Sequence, residues 1–255
     1  MLITDHDRVP SLHLTLPCGA THTVSVEWDG EYGLSLVCTE GIDIHIHAVI
    51  NHLWQRLRES PIPGLVDLIP TYHTVSILVD PAKWTNQTKE TSLTEGLVPQ
   101  LIQFLQSPQD VIPIAPRKVS IPVCYDATLA PDLLSLAERL DCTPEELIAI
   151  HAASSYTVFM LGFSPGFAYM GKVDAKIAAP RHNRPRPRVA PGSIGIAAQQ
   201  TCIYPSETPG GWQLIGRTPL RTWRPEQASP CTLQPGDEVH FQPISLKEYH
   251  LLACA

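Results

Sequence analysis

The chain has 255 residues, of which 44% are hydrophobic, and a formal net charge of -7. This length suits one large domain or two of modest size. The acidic balance argues against a nucleic-acid partner, and no apolar run approaches the ~20 residues that span a bilayer.

The seven cysteines never form a C-x-x-C pair. Neither a disulfide framework nor a Cys-rich zinc site is therefore indicated, and no metal site is expected. The N-terminus lacks the basic start and apolar core of a signal peptide. These features together predict a protein of the reducing cytoplasm.

The first half of the chain alternates strand and helix patterns. Apolar residues alternate in two runs within residues 1–30, which predicts a hairpin. The elements expected after it are strand 34–38, helix 48–57, strands 65–70 and 73–80, a helical stripe over 97–105 and a further strand near 111–114. This order predicts a ferredoxin-like α+β unit over about residues 30–115, with the hairpin as an addition.

A Pro-containing linker over 114–118 predicts a boundary, which gives domains 1–116 and 117–255. The second domain opens with a strand over 119–124 and continues with two short helices. Thr143, Pro144 and Glu146 form a start signal for the second of these helices, which is expected to run to about His151. Short strands and Gly/Pro turns follow from Tyr156, so we expect a mainly β barrel that carries a helical excursion.

A basic loop stands out on this acidic chain. Five cationic or potentially cationic side chains fall within residues 181–188: Arg181, His182, Arg184, Arg186 and Arg188. Arginine suits forked binding of carboxylate or phosphate. Successive residues of an extended segment face opposite sides, so only some of these can line one site. We predict that Arg184, Arg186 and Arg188 bind an anionic substrate; a solvated loop or an interface with another protein is the alternative.

Other polar residues of the second domain are candidates for catalysis or binding. His151 at a helix end could serve as a general base or be structural. Gln199 and Gln200 could recognise an amide or lactam, or bond the neighbouring backbone. We assign catalysis to His151, Gln200 and Tyr204, and substrate binding to Gln199 and Arg217 as well as the loop arginines.

The run Gly162-Phe163-Ser164-Pro165-Gly166 matches the letters of a hydrolase nucleophile elbow. Pro165 removes the N–H that would stabilise an oxyanion and disfavours the helix that should follow, so we reject that interpretation. Cys202 is also expected to be a buried residue rather than a nucleophile, because no base adjoins it in sequence. Phe167 or Trp212 is predicted to contribute an exposed apolar surface for a partner.

Two long motifs resemble the allophanate hydrolase subunit one family. They are YTVFMLGFSPGFAYMG from Tyr156 and SETPGGWQLIGRTP from Ser206. The resemblance runs from about Leu34 to Ile244. The chain departs from the family pattern where Ala198 and Cys202 replace glycines, which predicts a narrower pocket.

The resemblance implies a small N-terminal α+β domain and a C-terminal cyclophilin-like barrel. It also implies membership of an ATP-dependent complex that opens 5-oxoproline to glutamate. The implied partners are a second cyclophilin-like protein, the C subunit, and a third protein, the A subunit. ATP would be used by the complex rather than clearly bound by this chain.

Two other functions stay open. The first is inhibition of a sporulation-type histidine kinase, which would make the chain a regulatory binding protein. The second is a carboxyltransferase-like role in a urea carboxylase or allophanate hydrolase system. The inhibitor would need an exposed apolar patch that can dock on a helical kinase domain, whereas an enzyme needs polar groups that converge in a pocket.

Overall fold

A computed structural model describes residues 12–15, 21–38, 42–88, 93–106 and 115–254. The chain divides into two compact units, residues 1–114 and 115–255. The division falls two residues before the predicted boundary between residues 116 and 117.

The first unit is a five-stranded antiparallel sheet with helices. Its elements are β1 (Leu12–Thr15), β2 (Thr21–Trp28), β3 (Gly33–Val37), α1 (Ile44–Glu59), β4 (Leu65–Pro70), β5 (Thr74–Val79), α2 (Pro81–Thr88) and α3 (Leu93–Gln106). The strands lie in the order β1-β2-β3-β5-β4. The apolar face of α1 packs on β4 and β5, where alternate strand residues such as Val75 and Ile77 are fully buried.

The predicted strands and helices of this unit are found close to their expected bounds, and α2 is an additional helix. β5 lies between β3 and β4, as in a split β-α-β unit. The predicted strand near 111–114 lies outside the described residues. The place beside β3 is occupied by β2 of the N-terminal hairpin, so the ferredoxin-like topology is not confirmed, and the hairpin forms part of the sheet.

The second unit is a closed barrel with three helices. Its elements are β6 (Lys118–Cys124), α4 (Leu133–Arg139), α5 (Pro144–Ala153), β7 (Ser155–Leu161), β8 (Ala168–Gly171), β9 (Arg186–Val189), β10 (Ser193–Ala197), β11 (Gln200–Ile203), β12 (Thr208–Gly210), β13 (Gln213–Arg217), β14 (Glu238–Ile244) and α6 (Leu246–Ala253). The barrel order is β10-β11-β8-β7-β14-β6-β13, and β13 pairs back with β10. The predicted mainly β barrel is thus confirmed.

Local signals explain where two helices of the barrel unit, α5 and α6, begin. The Thr143 side chain accepts a hydrogen bond from the Glu146 backbone N–H at 3.1 Å, and Glu146 accepts one from the Thr143 backbone N–H at 2.7 Å. This reciprocal capping box is the one that the sequence predicts. Ser245 and Glu248 form a second capping box at the start of α6.

β9 and β12 form a separate antiparallel ribbon outside the barrel ladder. The ribbon brings Arg186 and Arg188 onto an ordered strand. Beside the main barrel core, a second buried cluster contains Phe167, Cys202, Tyr204, Trp212 and Leu214. Val189, the last residue of β9, also belongs to this cluster, so the end of the basic segment packs against it.

Candidate functional site: a buried carboxylate beneath the basic loop

The Asp132 carboxylate lies at the start of α4 but does not cap that helix. Instead, its Oδ2 accepts a hydrogen bond from the Leu214 backbone N–H at 2.7 Å. The Asp132 backbone N–H donates to the Leu214 carbonyl at 3.0 Å. Asp132 is thereby locked onto β13, and its side chain is only 5% exposed.

Two cationic or potentially cationic side chains of the basic loop face this carboxylate. Arg186 donates a charge-assisted hydrogen bond from Nη2 to Asp132 Oδ1. His182 Nε2 lies 3.2 Å from Asp132 Oδ2. This second contact is not aligned as a hydrogen bond, so we regard it as electrostatic. One buried carboxylate therefore holds an imidazole and a guanidinium side by side.

Arg186 keeps binding capacity beyond this pair. Its Nη1 is enclosed and has no hydrogen-bond partner among the described residues, while its side chain as a whole is 31% exposed. An enclosed N–H without an acceptor costs roughly 1–3 kcal/mol. A ligand carbonyl or carboxylate oxygen beside Nη1 would offset that cost.

The other arginines of the loop have different surroundings. The Arg181 guanidinium carbon lies 5.5 Å from the centre of the Trp212 ring, within cation–π range. Arg184 is exposed. Arg188 Nε is 3.8 Å from Glu207 Oε1, and both side chains are largely exposed, so this pair contributes little. Among the three predicted arginines, Arg186 is the one held by a buried acid.

His151 is enclosed in the barrel core. Its Nδ1 is 2.8 Å from the Tyr125 hydroxyl, its Nε2 is 3.1 Å from Thr201 Oγ1, and its ring stacks on Phe241. Burial without a neighbouring acid lowers the pKa of His151 to about 3. The ring is neutral and out of contact with solvent, so its surroundings favour the structural alternative.

The remaining predicted site residues are spread over three places. Gln199 is exposed in the β10–β11 turn, and Gln200 is half-buried at the start of β11. Tyr204 is buried, and burial raises the pKa of its hydroxyl. Arg217 is half-buried at the end of β13, where its Nε donates to the Pro191 carbonyl at 2.8 Å. None of the four contacts Asp132 through a described hydrogen bond or ion pair.

The prediction that Phe167 or Trp212 contributes an exposed apolar surface was wrong. Phe167 and Trp212 are 1% and 4% exposed, because both belong to the second buried cluster. The exposed aromatic of the motif is Phe163, at 63%. Its backbone has φ +64°, and the next residue, Ser164, donates its N–H back to the Gly162 carbonyl at 2.7 Å.

The two departures from the family glycines lie in different surroundings. Cys202 is fully buried within the second cluster, where burial raises the pKa of its thiol. This agrees with the expected inert residue. Ala198 is exposed in the β10–β11 turn at φ +50°, a conformation that favours glycine. Neither side chain forms a described hydrogen bond or ion pair with Asp132, His182 or Arg186.

The described part of the chain contains no group of three or more His, Cys, Asp or Glu side chains that could hold a metal ion. Within the same residues, no helix is both long and apolar enough to cross a membrane.

The fold and site define a two-unit protein in which a closed barrel carries a basic loop anchored by a buried carboxylate. Residues 24–233 match the model of the carboxyltransferase domain, subdomain C and D. The match covers most of the chain, which therefore belongs to this family.

Curated relatives resemble the chain over most of its length. It is 37% identical over 227 residues to the 5-oxoprolinase B subunit of Bacillus subtilis (strain 168), covering 88% of this chain and 95% of that protein. It is 32% identical over 214 residues to the 5-oxoprolinase B subunit of Escherichia coli O157:H7, covering 84% and 93%.

Among solved structures, the crystal structure of TTHA0988 superposes with a TM-score of 0.72 at 34% identity. The match covers 84% of this chain but only 40% of the TTHA0988 chain. The similar region is thus part of a longer polypeptide in that protein.

The burial of His151 predicts a particular dependence of stability on pH. The pKa is about 3 in the folded chain against a reference of 6.5, so between these values the unfolded chain binds a proton that the folded chain does not. Stability is therefore lost as pH falls below about 6.5. At pH 5 this contribution amounts to about 2 kcal/mol relative to pH 7.

Urea unfolding of the wild type and His151→Gln at pH 7 and pH 5 checks this expectation. The stability advantage of the wild type over the variant should shrink by about 2 kcal/mol at the lower pH. The matched variant His250→Gln, at an exposed position on α6, should show no such convergence. If the wild type is more stable than His151→Gln by the same free energy at both pH values, the claim that burial lowers the pKa of His151 is contradicted.

Proposed function

We propose that the chain is the B subunit of an ATP-dependent 5-oxoprolinase that converts 5-oxo-L-proline to L-glutamate. The observation that carries the proposal is the similarity to two proteins named as the B subunits of 5-oxoprolinases, which extends over 84–88% of this chain and 93–95% of theirs. Similarity over nearly the whole length of both relatives supports a shared function.

The substrate anion is assigned to the basic loop. Arg186 offers an enclosed N–H without a partner among the described residues, and the exposed Arg184 precedes it by two residues on the same segment. A carboxylate such as that of 5-oxoproline fits such donors. Gln199 and Gln200 present amides at the β10–β11 turn, while His151, Tyr204 and Arg217 are assigned to holding the strands that frame the site.

ATP and the remaining chemistry are assigned to the assembled complex. The sequence contains neither a Walker nor a dinucleotide glycine fingerprint, and the proposal assigns ATP use to the complex as a whole. Two partners are proposed: a second cyclophilin-like protein, which is the C subunit, and the A subunit. The chain by itself is then expected to be inactive.

A reconstitution experiment tests the function and the loop together. ATP-dependent glutamate formation should require this chain together with the A and C subunits. Within the complex, Arg186→Ala should lower kcat/KM for 5-oxoproline at least tenfold, because a lost charge-assisted contact costs roughly 1.5–3 kcal/mol. Arg184→Ala should also lower it. Arg188→Ala is the matched control, since its 81% exposed side chain pairs only with Glu207 among the described residues.

Three outcomes of this experiment would count against the proposal. Turnover by the isolated chain would refute the division of labour within the complex. Wild-type kinetics in both Arg184→Ala and Arg186→Ala would remove the loop from the substrate site. Turnover of urea but not of 5-oxoproline would favour the carboxyltransferase-like function that the family description suggests.

Contact with the C subunit is assigned to Phe163. This side chain is 63% exposed on a residue with left-handed backbone, a conformation that bulky residues avoid unless the surroundings impose it. Gly166 at φ +80° helps to hold the turn, because a Cβ there would lie 2.9 Å from Trp223 Cβ. The loop thus presents an aromatic side chain to solvent, with its ring edge-to-face with Phe167 at a distance of 5.3 Å, and aromatic residues are enriched among interface hot spots.

The dissociation constant for the C subunit, measured with the purified chain and its variants, tests this contact. Phe163→Ala should weaken capture of the C subunit by at least about 30-fold in dissociation constant, which corresponds to the loss of an anchor worth about 2 kcal/mol. Leu251→Ala provides the control, because Leu251 is 65% exposed on α6 and should leave capture unchanged. Equal affinities of the wild type and Phe163→Ala would place the interface elsewhere.

A further inference from the structure

The imidazole of His182 has two differently placed nitrogens. Nε2 is enclosed and lies 3.2 Å from Asp132 Oδ2. Nδ1 has no hydrogen bond within the described residues and is not among their enclosed unpartnered atoms, while the side chain is 29% exposed. Nδ1 is therefore the nitrogen that faces solvent.

The neighbouring backbone fixes this placement. The His182 N–H donates to the Gly211 carbonyl at 2.7 Å, only three residues before the Leu214 amide that binds Asp132. The His182 backbone and the Asp132 carboxylate are thus both hydrogen-bonded to the short segment from Gly211 to Leu214. These bonds keep the His182 backbone close to the carboxylate without help from a ligand.

We propose that His182 transfers protons in the opening of the lactam ring and that Asp132 is its positioning residue. The inference rests on the proposed function and adds a catalytic residue to it. A carboxylate beside Nε2 favours the tautomer that carries its proton on Nε2, which leaves the Nδ1 lone pair available to solvent. An acid, an imidazole and an open side for the reacting group are the arrangement that general base catalysis requires.

The step is a balanced hydrolysis. His182 Nδ1 accepts a proton from water as the water oxygen forms a bond to the lactam carbonyl carbon. The imidazolium then returns that proton to the ring nitrogen as the carbon–nitrogen bond breaks. Water thereby supplies a hydroxyl to carbon and a proton to nitrogen, which yields a carboxyl group and an amine. The cleavage of ATP by the complex lies outside this proton balance.

Arg186 places the substrate relative to this base. Its Nη2 binds the other oxygen of the carboxylate that faces His182, and its Nη1 is without a partner among the described residues. Arg186 Nη2 and His182 Nε2 lie at the two oxygens of one carboxylate, so a substrate anion that binds to the Arg186 guanidinium would lie near the imidazole. Binding and proton transfer thus fall to neighbouring groups with one shared support.

The test uses the full complex and chemical rescue. His182→Ala should lower kcat at least 10²-fold, since general acid–base groups contribute 10²–10⁴-fold. Added imidazole should raise the kcat of His182→Ala at least tenfold. If the role of His182 were only structural, imidazole would not restore activity. His240→Ala is the matched control: His240 Nε2 also lies 3.2 Å from a carboxylate, that of Glu238, and its loss should leave kcat unchanged with or without imidazole.

The positioning role of Asp132 is tested by a double-mutant cycle. Asp132→Asn should lower kcat when it is introduced into the wild type, but it should cause little further loss in His182→Ala. The effects of two residues that act as one unit are not additive. Fully additive losses would separate Asp132 from His182 and overturn that role.

Each remaining outcome decides the proposal. Activity of His182→Ala within threefold of the wild type, or a loss that imidazole does not restore in an assembled complex, overturns it while leaving the 5-oxoprolinase function intact. If His182→Ala does not assemble, His182→Gln replaces it; failure of both to assemble makes His182 structural and also overturns the proposal. An inactive wild-type complex overturns the proposed function itself, and this inference with it.

Discussion

The carboxylate of Asp132 joins three segments that are far apart in sequence. Asp132 lies directly before α4, and its carboxylate accepts hydrogen bonds from the Leu214 amide of β13 and from Arg186 of the basic loop, which are 82 and 54 residues away. A carboxylate that is 5% exposed must be compensated by such partners, since an unpaired charge there would be strongly destabilising. This carboxylate therefore holds the basic loop on the barrel together with the bond from the His182 N–H to the Gly211 carbonyl and the pairing of β9 with β12.

The aromatic residues around ribbon β9–β12 are closely packed. A Cβ at Gly210 would collide with the Tyr204 ring, 2.8 Å from its carbon atoms, so glycine is required where ribbon β9–β12 passes over the ring. Phe167 meets Tyr204 and Trp212 edge to face, at ring distances of 5.2 and 6.0 Å. Tyr204 is thereby enclosed in the second buried cluster together with Phe167 and Trp212.

Local patterns predicted local structure well. The capping box of Thr143 and Glu146 and the strand Leu65–Pro70 follow from neighbouring residues alone. The second buried cluster could not be foreseen in this way, because Phe167 and Trp212 are enclosed by distant segments of the barrel unit. Predicting the place of the N-terminal hairpin would likewise have required knowing that β2 fills the edge of β3.

The candidate site was predicted only in part. The cationic loop is visible in the sequence, but its anchor is not, since Asp132 has no local pattern that connects it to Arg186. His182 was noted for its charge and not for its chemistry, because only the fold brings its Nε2 to a buried acid. For His151 the helix-end position suggested a base, whereas the fold surrounds it with Tyr125, Thr201 and Phe241.

The anchoring by Asp132 can be measured most directly by backbone hydrogen exchange. In Asp132→Asn the backbone amides of Leu214, His182 and Arg186 should lose protection, because the charged acceptor of the Leu214 N–H and of the Arg186 guanidinium is gone. Glu207→Gln, which alters only the exposed 3.8 Å pair with Arg188, should leave their protection unchanged. Unchanged protection in Asp132→Asn would contradict the claim that this carboxylate holds the basic loop on the barrel.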